Sequence, residues 1–321
     1  MLFASLVLGT AAALVSPVNG TVSDIAAAGP NGPLKGTITG DAGAVGTVVL
    51  ILPGSGPTDR NGDSPLGIKA ATYRLLAEGL AQNGIASVRI DKRGLLASAA
   101  AVPDGNAVTL GDYVTDTKSW IAAIRQRTGA RCVWLLGHSE GGLVALATAA
   151  SGAEHICGLV LVSTPGRPLG VVLKEQLGAN PANAPILDAA NRAIDTLSAG
   201  QRVDAASLPP PLATTLFRPQ IQGFLISEIA VDPAVLIAKA SKPVLVIQGQ
   251  KDLQVSVADA HRLMAADPSA TLMLLPETNH VLKQVASDDR RANFATYADP
   301  NLPLAPNVVK TVVHFIEQQG K

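Results

Sequence analysis

The 321-residue sequence predicts an α/β protein with a mainly parallel central sheet, helices on both faces, and a helical insert between two strands. Three observations carry this expectation. Short unbroken apolar runs recur along the chain and each stops at a turn signal, the pattern of strands buried on both faces. Helical periodicity separates the runs, which makes βαβ units with right-handed crossovers. One stretch, residues 165–240, holds helical segments but no strand.

The elements follow in chain order. Residues 1–20 contain thirteen apolar residues, and no charge precedes Asp24. That is the length of a secretory leader and short of the roughly 20 apolar residues of a membrane span. A leader would send the protein to the periplasm or outside the cell; without one the chain stays cytoplasmic. Residues 21–33, rich in Ala, Gly and Pro, read as a linker, so 1–33 is assigned to leader and linker. Residues 34–39 alternate as a half-exposed strand does. Val48–Leu52 is a buried strand ending at Pro53-Gly54, and Ile85–Ile90, Cys132–Leu136, Leu159–Val162, Val244–Ile247 and Thr271–Leu275 repeat the pattern. Tyr73–Asn83, Tyr113–Thr128 and Val308–Gln318 carry their large apolar residues on one helical face. Helical segments at 169–177, 185–199 and 219–230 are broken by Pro181, Pro185 and Pro209-Pro210-Pro211. A structureless loop of that length is rare, so 165–240 is expected to form a cap over the strand ends, with 34–164 and 241–321 as the core.

Composition narrows the function. Lys and Arg number 25, Asp and Glu 25, so the formal net charge is zero and there is no basic surplus to neutralise nucleic-acid phosphates. At 3 % aromatic, the chain lacks stacking platforms for single strands, and its 47 % apolar content excludes disorder. The neutral balance suits an uncharged or weakly charged small-molecule substrate. The scarcity of aromatics points to a pocket lined by aliphatic side chains, chiefly from the cap. Cys132 and Cys157 are too few for a four-thiolate zinc site; they begin strands expected to be neighbours and read as free buried thiols, a disulfide being arguable only in an exported protein.

The chemistry centres on Gly137-His138-Ser139-Glu140-Gly141, which follows one buried strand and precedes a small-residue helical run. G-x-S-x-G alone is weak; between strand and helix it describes a sharp turn that lifts a serine hydroxyl above the sheet edge. A serine needs a base. Of the five histidines, His138 reads as a packing residue, His155 lies at the foot of a strand, and His261 and His314 fall within helical patterns. His280, in the loop after Thr271–Leu275, lies at the same sheet edge as Ser139 and is the expected base. Asp252, in the loop after Val244–Ile247, is the expected acid that holds its tautomer, with Glu277 as the rival. The order Ser, Asp, His is the α/β-hydrolase order. The oxyanion donors are expected to be the backbone N–H of Glu140, at a helix N-terminus, and that of Ser55, in the loop after Val48–Leu52. Asp59, Arg60, Asp91 and Arg93 lie in loops at this edge and read as an ion-pair network that fixes the oxyanion loop, the other reading being direct contact with a substrate carboxylate. No metal or cofactor is implied.

Further residues match at a distance: Leu52–Gly62 (LPGSGPTDRNG), Asp91-Lys92-Arg93-Gly94, Gly137–Gly142, Phe217–Gln220 with Phe224–Ser227, Asp232–Ala234, Asn279–Lys283 and Tyr297–Leu304. On these the span from about 34 to 318 resembles the α/β-hydrolase fold carboxylesterases of bacteria, close to the serine-aminopeptidase-like hydrolases. The resemblance implies ester cleavage with short acyl chains and Ser139, Asp252 and His280 as the triad. The chain departs from the family pattern at Asn61, where D-R-D-G is usual, and at Leu95–Ser98, where a Gly-Glu-Ser-like end is usual. Glu228 stands where an aromatic is expected. The last two bear on substrate preference.

Other classes fare worse. A dinucleotide-binding oxidoreductase would use Gly54-Ser55-Gly56, but Asp59 stands where the third glycine of G-x-G-x-x-G belongs. A non-catalytic module would have no use for an intact triad. Peptidase, thioesterase, lactonase and acyltransferase chemistry use the same triad and stay open at this level.

Overall fold

An eight-stranded sheet forms the centre of the structure, a computed structural model that describes residues 21–41 and 46–319. The leader expected over residues 1–20 lies outside them. In chain order the strands are β1 (Val22–Ala27), β2 (Leu34–Thr39), β3 (Val48–Leu52), β4 (Asp63–Ser64), β5 (Ile68–Lys69), β6 (Ala86–Ile90), β7 (Val133–His138), β8 (Ile156–Val162), β9 (Val244–Gly249) and β10 (Thr271–Leu275). β4 and β5 pair only with each other. The others lie in the order β1-β2-β6-β3-β7-β8-β9-β10. β1, β2 and β6 run antiparallel, and every pair from β6 to β10 is parallel.

The apolar runs are explained by two covered faces. Along β3, Val48, Leu50 and Leu52 pack on one side and Val49 and Ile51 on the other, the period-two alternation of a strand. Helices α1 (Thr72–Gln82) and, at the chain's end, α10 (Val308–Gln319) cover the second side through Leu76, Leu80, Val312 and Ile316. Helices α2 (Leu110–Thr128) and α3 (Glu140–Ala150) cover the first through Trp120, Ile124, Leu143 and Leu146. A reciprocal Thr109–Asp112 capping box starts α2, and Gly129 at φ 74° ends it.

The insert between β8 and β9 is helical, as expected: α4 (Leu169–Gly178), α5 (Leu187–Ser198), α6 (Gln222–Ile229) and α7 (Pro233–Ile237), with short turns between them. Helices α8 (Val257–Ala266) and α9 (Arg290–Ala295) complete the set. Among the described residues no helix is long and apolar enough to cross a membrane.

Two expectations are corrected. Residues 22–27 are not linker: they form β1, an edge strand with Ile25 and Ala27 buried and the rest of the strand exposed. Two buried apolar side chains in a short Ala-rich segment leave little alternation to read. Cys132 and Cys157 are not free thiols: they form a disulfide, their Cα atoms 5.2 Å apart. The parallel pairing of Val133 with Ile156 brings the two cysteines side by side.

Candidate active site

The turn from β7 into α3 is as sharp as the motif requires. Ser139 sits at φ 54°, ψ −122°, a conformation sparsely populated by residues with a Cβ. The flanking glycines make room for it. A Cβ on Gly137 would lie 2.3 Å from the Gly141 carbonyl oxygen, and one on Gly141 would lie 2.2 Å from that of Leu52. The Ser139 amide is held by the Val162 carbonyl at 2.9 Å.

The loops after β9 and β10 bring Asp252 and His280 together. His280 Nδ1 donates to Asp252 Oδ2 at 2.8 Å, which leaves Nε2 as the basic nitrogen. The other oxygen of Asp252 accepts the amides of Gln254 (2.8 Å) and Val255 (3.0 Å). Burial by itself would raise the Asp252 pKa, but His280 and these amides pull it below the ordinary carboxylate value, so Asp252 is an anion facing the imidazole. Glu277, the rival acid, is exposed and bonded to Gln284. His155, His261 and His314 are exposed on other elements.

Ser139 and His280 line one cavity of about 90 Å³ with Gly54, Ser55, Thr58, Thr72, Tyr73, His138 and Gln254. Its aliphatic contributions come from Ile68 and Val281, and no described residue of 165–240 lines it. The expectation of a pocket lined chiefly by the insert is therefore corrected. Much of the insert's apolar surface is spent on its own core, around Ile194, Leu197 and Phe217, and on α2 through the Tyr113–Phe224 ring contact. No hydrogen bond joins Ser139 Oγ to His280 Nε2, a contact that commonly tightens when substrate engages. Among the described residues the amides of Ser55 and Glu140 donate to no other group, whereas the Gly54 amide donates to the Tyr73 hydroxyl at 2.8 Å.

The supporting charges divide. Arg60 grips Asp91 through its backbone amide (3.0 Å), Nε (3.0 Å) and Nη2 (2.6 Å). Asp59 instead accepts the amides of Asn61 (2.7 Å) and Asp63 (2.9 Å) in its own loop. Arg93 turns away to α2, where it pairs with Asp116 and Asp112 at 2.6 and 2.7 Å. Asn61 explains its departure from an aspartate: its side-chain oxygen accepts from Arg89 while its carbonyl accepts the amides of Tyr73 and Arg74 at the start of α1.

Sequence reasoning passes over three participants. Lys92 is buried, with Nζ 2.8 Å from the Gly54 carbonyl and 3.2 Å from Glu140 Oε1. It thereby ties the loop after β3 to the residue after Ser139. The run of three charges Asp91-Lys92-Arg93 at the end of a buried strand is the signal that could have found it. Tyr73 reads as one more apolar helical position, and His138 is hydrogen-bonded on both nitrogens rather than merely packed.

A family profile described as Hydrolase_4, serine aminopeptidase S33, matches residues 66–284. Among solved structures the chain is similar to Est1E from Butyrivibrio proteoclasticus at 15 % identity and a TM-score of 0.57, over 92 % of this chain and 98 % of that one. It is similar to the esterase Pf2001 of Pyrococcus furiosus at 18 % identity and a TM-score of 0.55, over 97 % of each chain. It is also similar to the proline iminopeptidase of Mycobacterium smegmatis at 14 % identity and a TM-score of 0.58, over 92 % of this chain and 98 % of that one. Identities this low speak for the fold alone. No curated protein matches the sequence. With the mainly parallel sheet and the profile spanning more than half of its length, the chain belongs to the serine aminopeptidase S33 family of α/β hydrolases.

Proposed function

We propose that this hydrolase cleaves carboxylic esters with short acyl chains through a Ser139–His280–Asp252 triad. The observation that carries the reading is the 2.8 Å bond from His280 Nδ1 to a buried Asp252, in one cavity with the strained Ser139. His280 Nε2 takes the Ser139 proton as Oγ attacks the ester carbonyl. The developing oxyanion is met by the amides of Ser55 and Glu140. Collapse expels the alcohol, which receives the proton from His280. Water then attacks the acyl-enzyme by the same route and releases the carboxylic acid and Ser139. Asp252 keeps the Nδ1–H tautomer and stabilises the imidazolium without itself being protonated.

The cavity favours esters over aminopeptide bonds. An aminopeptidase needs an anion for the substrate's α-ammonium, and none of the described lining residues is a carboxylate. The cavity volume, about 90 Å³, suits an acyl group of a few heavy atoms. The expected result is hydrolysis of p-nitrophenyl acetate and butyrate that Ser139→Ala abolishes, with alanine p-nitroanilide a poor substrate. Undiminished ester hydrolysis by Ser139→Ala, or faster cleavage of the anilide than of the esters, would overturn the reading. The residues 165–240 are read as a cap that governs access. Export is supported by the Cys132–Cys157 disulfide, since such bonds persist in oxidising compartments; recovery of the native protein in the cytoplasmic fraction alone, with both thiols free, would sink that assignment.

A further inference from the structure

Tyr73 on α1 and His138, which precedes Ser139, are buried beside the triad and take no part in the proton transfers above. Their hydrogen bonds run in one direction. The Gly54 amide donates to the Tyr73 hydroxyl oxygen at 2.8 Å. A phenol has one proton to give, and the next partner is His138 Nδ1 at 2.9 Å. Nδ1 is thus the accepting nitrogen. The ring proton lies on Nε2, which donates to the His280 carbonyl oxygen at 2.8 Å. The rings lie close along the same path, with centroids 5.6 Å apart for Tyr73 and His138 and 4.8 Å for His138 and His280. Burial, with the neighbouring His280 adding to it, holds the His138 pKa down to about 3, so the ring stays neutral and the direction of the chain is fixed.

We propose that Tyr73 and His138 are positioning residues that set the distance between the oxyanion loop and the base on either side of Ser139. The chain starts at the amide before Ser55 and ends on the main chain of His280. Its middle member is bonded covalently to the nucleophile. Three separate segments meeting around one serine are thereby held by two side chains, each with a donor and an acceptor in use. Breaking either link leaves a buried backbone group without its partner and lets loop and base drift independently.

This inference rests on the triad reading, and the experiment separates the two. In Tyr73→Phe and His138→Leu, kcat for p-nitrophenyl acetate is expected to fall about 10- to 100-fold, because misplacement by about 1 Å costs that much, while KM stays within about twofold. The double variant is expected to lose no more than the worse single variant, since either change parts the same chain. His138→Gln, which keeps a donor and an acceptor, is expected to regain part of the kcat lost in His138→Leu. Wild-type kcat in variants with native near-UV circular dichroism, losses that multiply in the double variant, or a loss confined to KM would overturn the proposal. If His138→Leu does not fold, Tyr73→Phe, which removes one oxygen and keeps the ring, decides it alone. Hydrolysis that survives Ser139→Ala overturns the triad and the relay together. A dead Ser139→Ala beside fully active relay variants overturns the relay only.

Discussion

Removing the Cys132–Cys157 disulfide should lower stability by a predictable amount without touching the chemistry. The bond closes a loop of sequence separation 25. In the chain-entropy account such a closure removes about 12 cal/mol/K from the unfolded chain, or about 3.5 kcal/mol at 25 °C. An unfolding entropy of about 2.1 cal/mol/K per residue over 321 residues converts this to a fall in Tm of about 5 °C. Both cysteines are only partly buried, so serine in their place sacrifices little packing and the measurement reads the closure itself. The bond sits at the start of β7 and β8, the end of the strands opposite Ser139, so kcat should be unchanged. Calorimetry and urea unfolding of Cys132→Ser/Cys157→Ser, and of wild-type protein under reductant, should give coincident curves displaced by that amount. A displacement under about 0.5 kcal/mol, or two free thiols in denatured, unreduced wild-type protein, would refute the reasoning.

Three further outcomes can be checked. Asp252→Asn keeps the shape of the acid but favours the wrong His280 tautomer, so kcat should fall by about 10⁴ in a steady-state assay with little change in Tm. Lys92→Met leaves the Glu140 carboxylate buried without its 3.2 Å partner and frees the Gly54 carbonyl; denaturant unfolding should show a loss of about 3–5 kcal/mol. Glu228 is pushed well above the ordinary glutamate range, by burial first and then by Glu140, with Lys92 opposing. Folded Glu228 keeps a proton that the unfolded chain releases above about pH 4.5. Its stabilising contribution is complete below that pH and is lost as pH rises through the window up to the raised folded value. Glu228→Gln should therefore match the wild type in unfolding free energy near pH 4 and exceed it at about pH 8, and parallel pH profiles would refute this.

The strands with two buried faces, β3, β7, β8 and β9, were legible because burial on both sides leaves an unbroken apolar run. β1 was not, because an edge strand with two buried side chains carries almost no pattern. The sharp turn at Ser139 was legible because glycines at 137 and 141 are demanded by close backbone approach. Asp252 and His280 stood out because each follows a strand at the sheet edge that carries Ser139. Tyr73, His138 and Lys92 did not, because what they do is tertiary: a hydroxyl, an imidazole and an ammonium act on backbone groups 19, 142 and 38 positions away. Lysine in particular reads as solvent-facing, and only the fold shows two acceptors waiting for it. The same applies to the disulfide, since two cysteines in separate strands meet only through the β7–β8 register.

If residues 165–240 act as the proposed cap, their packing separates selectivity from chemistry. Ala190, Ile194, Leu197, Leu212 and Phe217 make a core of their own, whereas Phe224, Leu236 and Ile237 join the core beneath α2 and α3. The first part meets the acid loop through polar ties at its rim, such as Gln176 to the Gln254 carbonyl at 2.8 Å. On the proposed reading of 165–240 as a cap, substitutions there are expected to change what reaches the cavity while leaving the frame around Ser139 in place. The second part has no such freedom. Glu228 on α6 is buried where it feels the charges of Glu140, the residue after Ser139, and of Lys92, which holds the loop after β3. A change of charge at 228 is therefore felt at the loop after β3. On the proposed oxyanion donors, the departure from an aromatic at this position bears on the charge next to Glu140 rather than on the shape of the pocket, because Glu228 lies outside the cavity lining.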